Sequence, residues 1–433
     1  MDGNTGLGRG LCRGLCRGLA VLAAGLLLAA AACGGSDGGG DDSSGSGSGS
    51  ADAAALLGPR DRAEGEPVKV GVVSDGRTAA LDNTMQLRAA AAVARYINEH
   101  RGGIAGRPIR LVTCESEGDP GKAADCAAEL IQAKVALVVL GETTAAATVQ
   151  QAVHDAHIPL FAYGSGDQSV LLDPDSTFTL ASTTAGLADL PIDVAKEHHL
   201  KKVTAVVIDV PAATGFYKTI GKEMFADAGI DLDVVPIPPG QADMAPQMTQ
   251  IASGGPTVVH IIGNDAFCIA ALGGLRDAGF DGPIDTLNSC INDSVRQAVG
   301  DYLKGVVMAS PSPVGDRDDP GLKLLGAIID TYGRGDIDVD NALATNMFST
   351  MMGAREALGG LTGAVTPATI TAAIKAMPET DLPGGGGLKF RCNGKAFALT
   401  PAVCTRGSLR TTLDAQGEPT LPYETVGASP IPG

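Results

Sequence analysis

From residue 68 onward, short β-branched apolar runs alternate with longer segments whose apolar residues recur every three or four positions. The runs at 68–75, 135–140 and 158–163 are largely apolar over about four to eight residues, the pattern of strands buried on both faces of a parallel sheet. The intervening segments read as helices. Met85, Ala89, Val93, Tyr96 and Ile97 share one helical face, Asp82 or Asn83 stands where an N-cap belongs, and Gly102-Gly103 supplies the stop. Asp119-Pro120 opens another helix, with Asp as cap and Pro at the first helical position, where its missing N–H is no loss.

The stretch 135–169 organises the rest. A strand at 135–140, a helix from Thr144 to about Asp155 and a strand at 158–163 form a parallel βαβ unit. The first strand ends in Gly141-Glu142-Thr143-Thr144 and the second in Gly164-Ser165-Gly166. In an open α/β sheet, ligands bind beyond the carboxyl ends of strands. Small side chains, hydroxyls and backbone N–H groups at a helix start suit an anion such as a carboxylate. Neither end carries a nucleophile–base pair, so a binding protein rather than an enzyme is expected.

The segment 178–182 closes this first series, and a second repeats its rhythm. Strands are expected at 203–209, 232–237, 257–263, 284–289 and 305–309, with helices at 187–199, 214–228, 244–252 and 265–278. Such alternation gives parallel sheets covered by helices on both faces. The fold class is therefore α/β, with two Rossmann-like lobes. From Pro320 the pattern turns helical, at 322–332, 341–358 and 367–377, and 388–409 reads as a β-hairpin pinned by Cys392 and Cys404. The expected division is an N-terminal lobe of 68–185 plus 311–383 and a C-terminal lobe of 186–310 plus 384–426. Three crossings between lobes make a hinge on which they close over a ligand.

Charge and composition narrow the partners. A net charge of −17 argues against nucleic acid, whose phosphates need a basic surface. The absence of Trp and an aromatic content of 3% disfavour a sugar-stacking site or an aromatic cage. At the N-terminus, Arg9, Arg13 and Arg17 precede an apolar run at 19–32 that ends at Cys33. The run falls short of the ~20 residues that span a bilayer, and its layout is that of an export signal. Its AAAC ending resembles a bacterial lipobox, although Ala30 stands where a larger aliphatic is preferred. Residues 1–32 would then be a lipoprotein signal peptide and Cys33 the lipidated mature N-terminus. Residues 33–67, rich in Gly, Ser and Asp at their start, would be a flexible tether reaching roughly 30 Å.

Six further cysteines fit export: Cys114, Cys126, Cys268, Cys290, Cys392 and Cys404. An even number in an exported chain suggests disulfides, with about 15 connectivities open. Nearest-neighbour pairing is expected, since each pair would close a short loop within one supersecondary unit. No pair has C-x-x-C spacing, and neither a metal nor a cofactor is expected.

Between about Val68 and Val426 the chain resembles the type I periplasmic solute-binding proteins, in the branch of branched-chain amino acid receptors for ABC transporters. The most specific piece is INEHRGGIAGRPIRLVTCESEGDPGKAADCAAELI at 97–131, supported by GETT, YGSG, ATGFYKTIGKEM at 213–224 and GGLKFRCNGKAF. The resemblance implies a first-lobe site of Thr143 or Thr144 with Gly164, Ser165 and Gly166. It implies a second-lobe wall of Thr214, Asn264, Asp265, Asn288 and Ser289.

Two departures stand out. Thr214 replaces the usual aromatic, and Asn288-Ser289-Cys290 stands where amino acid receptors of this family usually carry a carboxylate for the ligand's ammonium. Asp265, Asp167 or Asp75 is left to substitute, or the ligand is not an amino acid. Each candidate also has a plainer role. Thr144, Thr214 and Asp265 sit where N-caps belong, and Gly164-Ser165-Gly166 and Asn288-Ser289 suit turns.

The resemblance thus implies a monomeric solute-binding lipoprotein, tethered at the outer face of the cytoplasmic membrane. It would deliver an amino acid or a related carboxylate or amide to an ABC permease. The alternative is a sensor of the same fold that signals to a membrane receptor.

Overall fold

The computed structural model describes residues 48–78 and 82–433. The expected signal peptide, the lipidation at Cys33 and the start of the tether lie outside the described residues.

The first lobe opens with α1 (Ser48–Leu57), β1 (Val68–Ser74), α2 (Thr84–His100) and β2 (Ile109–Glu115). It continues with α3 (Pro120–Gln132), β3 (Leu137–Leu140), α4 (Ala146–Asp155), β4 (Leu160–Ala162), α5 (Gln168–Leu172) and β5 (Thr177–Thr179). Its strands form one parallel sheet in the order β2-β1-β3-β4-β5. Period-two alternation sends Val70 and Val72 into the core that α2 covers, and Val73 into the core shared with Val138, Leu140 and Leu130 of α3. Both faces are filled, which is why these strands read as apolar runs. The Asp119 side chain accepts from Lys122 N at 2.8 Å, so the expected cap of α3 forms. Gly103 takes φ +64°, where a Cβ would meet Arg107 O at 2.0 Å, so this position after α2 requires glycine.

The second lobe runs through a π-turn at Ala185–Asp189, α6 (Leu190–Glu197), β6 (Lys202–Ile208), α7 (Pro211–Lys218), α8 (Ile220–Asp227) and β7 (Asp231–Ile237). Next come α9 (Ala245–Ser253), β8 (Val258–Ile262), α10 (Asp265–Asp277), β9 (Ile284–Leu287), α11 (Asp293–Val299) and β10 (Val307–Ser310). The chain then forms α12 (Pro320–Tyr332), α13 (Ala342–Ala357) and α14 (Pro367–Ala376). It ends with β11 (Thr380–Asp381), β12 (Lys389–Phe390), β13 (Ser408–Thr412) and β14 (Glu424–Val426). The second sheet has the order β14-β13-β10-β9-β8-β6-β7, parallel from β7 to β10 and antiparallel at β13 and β14. β7 is an edge strand and therefore tolerates Pro236. After β10 the chain returns to the first lobe, where α12 and α13 pack on α2.

Several expectations need correction. Residues 48–57, expected as tether, are the helix α1 packed on α12, with Leu57 buried in the core. The Ala-rich run 53–55 and Leu57 give this segment both helix propensity and an apolar anchor. Residues 61–64 are likewise held, through Asp61 N to Glu99 O at 3.0 Å and Ala63 N to Asn98 O at 2.8 Å. The single helix expected at 214–228 is two, starting at Pro211 and broken at Thr219, whose ψ of −102° leaves the helical region. The hairpin expected at 388–409 is reduced to one antiparallel bridge, Phe390 with Thr405, and the bond from Arg391 N to Cys404 O at 2.7 Å. β12 pairs with β11, whereas β13 takes the edge of β10, where four residues find partners and Leu409 is buried. Between them, Ala402 and Cys404 bond to Thr179 at the edge of the first sheet, so the return to the second sheet begins at Ser408.

The cysteines pair as nearest neighbours: Cys114–Cys126, Cys268–Cys290 and Cys392–Cys404. The first ties β2 to α3 and the second ties α10 to the turn after β9.

Candidate functional site

β1, β3 and β4 run in parallel, so Ser74-Asp75, Gly141–Thr144 and Tyr163–Gly166 emerge together at one edge of the first sheet. Asp75 is 3% exposed and gathers the polar groups there. Its Oδ1 accepts from Ser116 Oγ at 2.8 Å and Gly118 N at 3.1 Å, and its Oδ2 accepts from Thr144 N at 3.0 Å. Burial alone would raise this carboxyl. Hydrogen bonds from Thr143, Thr144, Ser116 and Gly118 outweigh burial and hold it below the ordinary carboxylate range. The Thr143 hydroxyl also lies 3.1 Å from Ser116 Oγ and accepts from Ala145 N at 3.1 Å. Thr143 and Thr144 are therefore brought together, but an internal carboxylate already occupies the Thr144 amide and crowds the Thr143 hydroxyl. Thr144 is not the cap of α4, whose N-cap position is Ala145.

Beside this hub, Gln86, Gly141, Glu142, Tyr163, Gly164, Asn346 and Thr350 line a small pocket. Gln86 is buried, and its Oε1 accepts from Ser74 Oγ at 2.9 Å and from Glu142 N at 2.8 Å, which fixes the Glu142 backbone. The Glu142 carboxylate has no hydrogen bond or ion pair among the described residues. Its side chain reaches solvent, yet the surrounding walls desolvate it and, with the negative charge of Asp75, push its pKa up. Asn346 Oδ1 is buried without a partner. The Tyr163 hydroxyl donates to Pro311 O, fastening the end of β4 to the crossing that follows β10. Gly164 and Gly166 are exposed, and Ser165 Oγ accepts from Asp167 N at 3.0 Å within the turn.

The second-lobe residues are less concerted. Thr214 is buried inside α7, where its hydroxyl donates to Val210 O at 3.2 Å, a bond within its own helix. Asn264 caps α10, accepting from Phe267 N at 3.0 Å, and the exposed Asp265 accepts from Ala266 N at 2.9 Å. Asn288 and Ser289 occupy the 3-10 turn after β9, with Ser289 exposed. Asn288 lines a cavity of about 440 Å³ with Arg296, Ser310, Asp340, Glu418 and Tyr423. Ala342 of α13 lines it too, so groups from both lobes meet there. The Arg296 guanidinium is engaged by Gly417 O at 3.1 Å, Asp293 at 3.0 Å and Glu418 at 3.2 Å.

Of the acids named as substitutes for the missing carboxylate, Asp75 is the internal hub, Asp265 bonds its own helix start and Asp167 caps α5 from Ser169 N at 3.0 Å. Sequence reasoning passed over Glu142. Its signal was its place between Gly141 and the two threonines at the strand end. Sequence reasoning also gave Asn346 no role, because only the packing of α13 against β4 brings it there.

Two parallel-sheet lobes, with hydroxyl, amide and carboxylate groups at the strand ends beside a multiple crossing, define the type I periplasmic binding protein fold. The sequence profile described as periplasmic binding protein matches residues 67–402, and the chain belongs to that family. A putative branched-chain amino acid ABC transporter protein from Rhodospirillum rubrum superposes with a TM-score of 0.69 at 15% identity, over 82% of this chain and 100% of that one. A branched-chain amino acid transporter substrate-binding protein from Streptococcus pneumoniae, in complex with isoleucine, gives 0.61 at 17% over 83% and 99%. A fatty acid ABC transporter substrate-binding protein from Thermomonospora curvata gives 0.59 at 17% over 86% and 95%. No curated protein sequence matches the chain.

Proposed function

We propose that this chain is an extracytoplasmic solute-binding lipoprotein, anchored through Cys33, that captures a small solute between its lobes and passes it to an ABC permease. The observation that carries this reading is the set of uncommitted polar groups at or facing the strand ends: Glu142 after β3 with Asn346 of α13 in one pocket, and Asn288 after β9 in a cavity to which both lobes contribute. The Tyr163–Pro311 bond supports a hinge role for the second crossing, because it links a strand end of the site to the connecting segment. Closure follows from binding only when the solute touches both lobes, since differential affinity is what shifts the population. The names of structurally similar proteins span branched-chain amino acids and a fatty acid. The solute class therefore has to be argued from this chain's own residues.

A thermal-shift screen of the purified full chain, unfolded and refolded to strip bound solute, tests the reading. The panel is amino acids, amides, diamines, short carboxylic acids and sugars. A true solute at about a hundred times its Kd adds ~2.7 kcal/mol, a rise of a few degrees. Flat melting curves across the panel would contradict it.

A further inference from the structure

We infer that Glu142 and Asn346 form a first-lobe subsite for a protonated amine, so that the solute is an amine-bearing molecule whose nitrogen is held at the end of β3. This rests on the solute-binding reading and names the chemistry of that same site.

Three observations converge. First, the donors grouped around Asp75 at the ends of β1, β2 and β3 are largely taken, and the amides left to an anion are those of Gly164–Gly166 after β4. The Thr144 and Gly118 amides and the Ser116 hydroxyl all donate to Asp75, and the Thr143 hydroxyl is shared between Asp75, Ser116 and Ala145 N. A solute carboxylate placed there would meet a buried like charge. Second, Glu142 and Asn346 leave acceptors uncommitted at the end of β3. Glu142 presents two carboxylate oxygens with no cation or donor on them among the described residues, and Asn346 Oδ1 is buried and unpartnered in the same pocket. A buried acceptor without a donor keeps its desolvation penalty, which a bound N–H donor removes. Third, the backbone that carries the carboxylate is anchored: the buried Gln86 side-chain oxygen accepts from the Glu142 amide at 2.8 Å, while the Glu142 side chain itself is exposed. A primary ammonium has three donors and a positive charge, which suits a carboxylate together with an amide oxygen. The chain's net charge of −17 favours the approach of such a solute.

Titration calorimetry on the purified full chain, stripped by refolding, tests the subsite. The probes are the common amino acids, 1,4-diaminobutane and n-butylamine, against butanoate and butanamide. The variants are Glu142→Gln and Asn346→Leu, each checked for native circular dichroism; if either fails to fold, the other carries the test. An amine-bearing probe should bind the wild type and lose roughly tenfold to a hundredfold in affinity with Glu142→Gln, the range for losing a hydrogen bond to a charged group. The amine-free probes should not bind. Equal affinity in wild type and Glu142→Gln, or binding of butanoate in place of amines, overturns the subsite while leaving solute binding intact. Silence across the whole panel overturns the subsite and also counts against the solute-binding reading.

Discussion

The Asp75 carboxylate accepts a hydrogen bond from the Thr144 backbone amide at 3.0 Å, joining the end of β1 to the end of β3. This bond commits the Thr144 amide, although Thr144 itself stays exposed. It also makes Asp75 a structural anchor, since Ser116 and Gly118 after β2 donate to the same group.

Replacing Asp75 with Asn puts an NH₂ donor against donors and should cost roughly 1–3 kcal/mol of stability. Because the folded-state pKa of Asp75 is lowered, its contribution is fully present above the unfolded value of 3.8 and is lost as pH falls through the folded value. Urea melts of wild type and Asp75→Asn should therefore differ near neutral pH and converge in acid. A constant gap at every pH would show that the carboxylate charge is not what stabilises the hub.

Amine binding should carry the signature of Glu142. Its pKa is raised, by desolvation first and by the charge of Asp75 second, so the carboxylate that holds the amine is protonated at higher pH than an ordinary Glu. Affinity for an amine-bearing probe should fall about tenfold per pH unit once the pH drops below that raised value. In Asp75→Asn the onset should move to lower pH, because one of the two causes is gone. Affinity that holds down to the ordinary carboxylate range in both proteins would contradict this account.

The second lobe contains a buried, hydrogen-bonded His–Asp pair in the middle of its sheet. His260 on β8 and Asp285 on β9 are register partners, both fully buried, and Nδ1 of His260 bonds Oδ1 of Asp285. Among the described residues, His260 Nε2 and Asp285 Oδ2 have no hydrogen-bond partner. Truncating either residue to Ala should cost about 3–5 kcal/mol, because it strands the other polar group in an apolar core. Replacing both with apolar residues of matching volume should recover most of that loss. Additive losses in a double-mutant cycle measured by urea melts would show that the two groups are not coupled.

Much of the scaffold was legible because its rules are local. Parallel strands buried on both faces write themselves as apolar runs, as at 135–140, and Asp119-Pro120 announces a helix start wherever it folds. The site was less legible because its meaning depends on which strand ends become neighbours. Thr143 and Thr144 look like free donors until β1 brings Asp75 beside them, and Glu142 looks like plain surface until α13 sets Asn346 beside the same strand end. The tail misled for a similar reason. The Cys392–Cys404 spacing suggested a full hairpin, but only the Phe390–Thr405 bridge pairs its arms, and the open edge of β10 takes β13.

Small-angle scattering on the refolded full chain, with and without the amine-bearing probe that raises the melting temperature most, tests the central claim most directly. Closure of two lobes on a shared solute predicts a smaller radius of gyration at a probe concentration near the wild-type Kd, and a much weaker change when Glu142→Gln receives the same concentration. A radius of gyration that stays constant in the wild type, while calorimetry shows the probe bound, would contradict capture by closure.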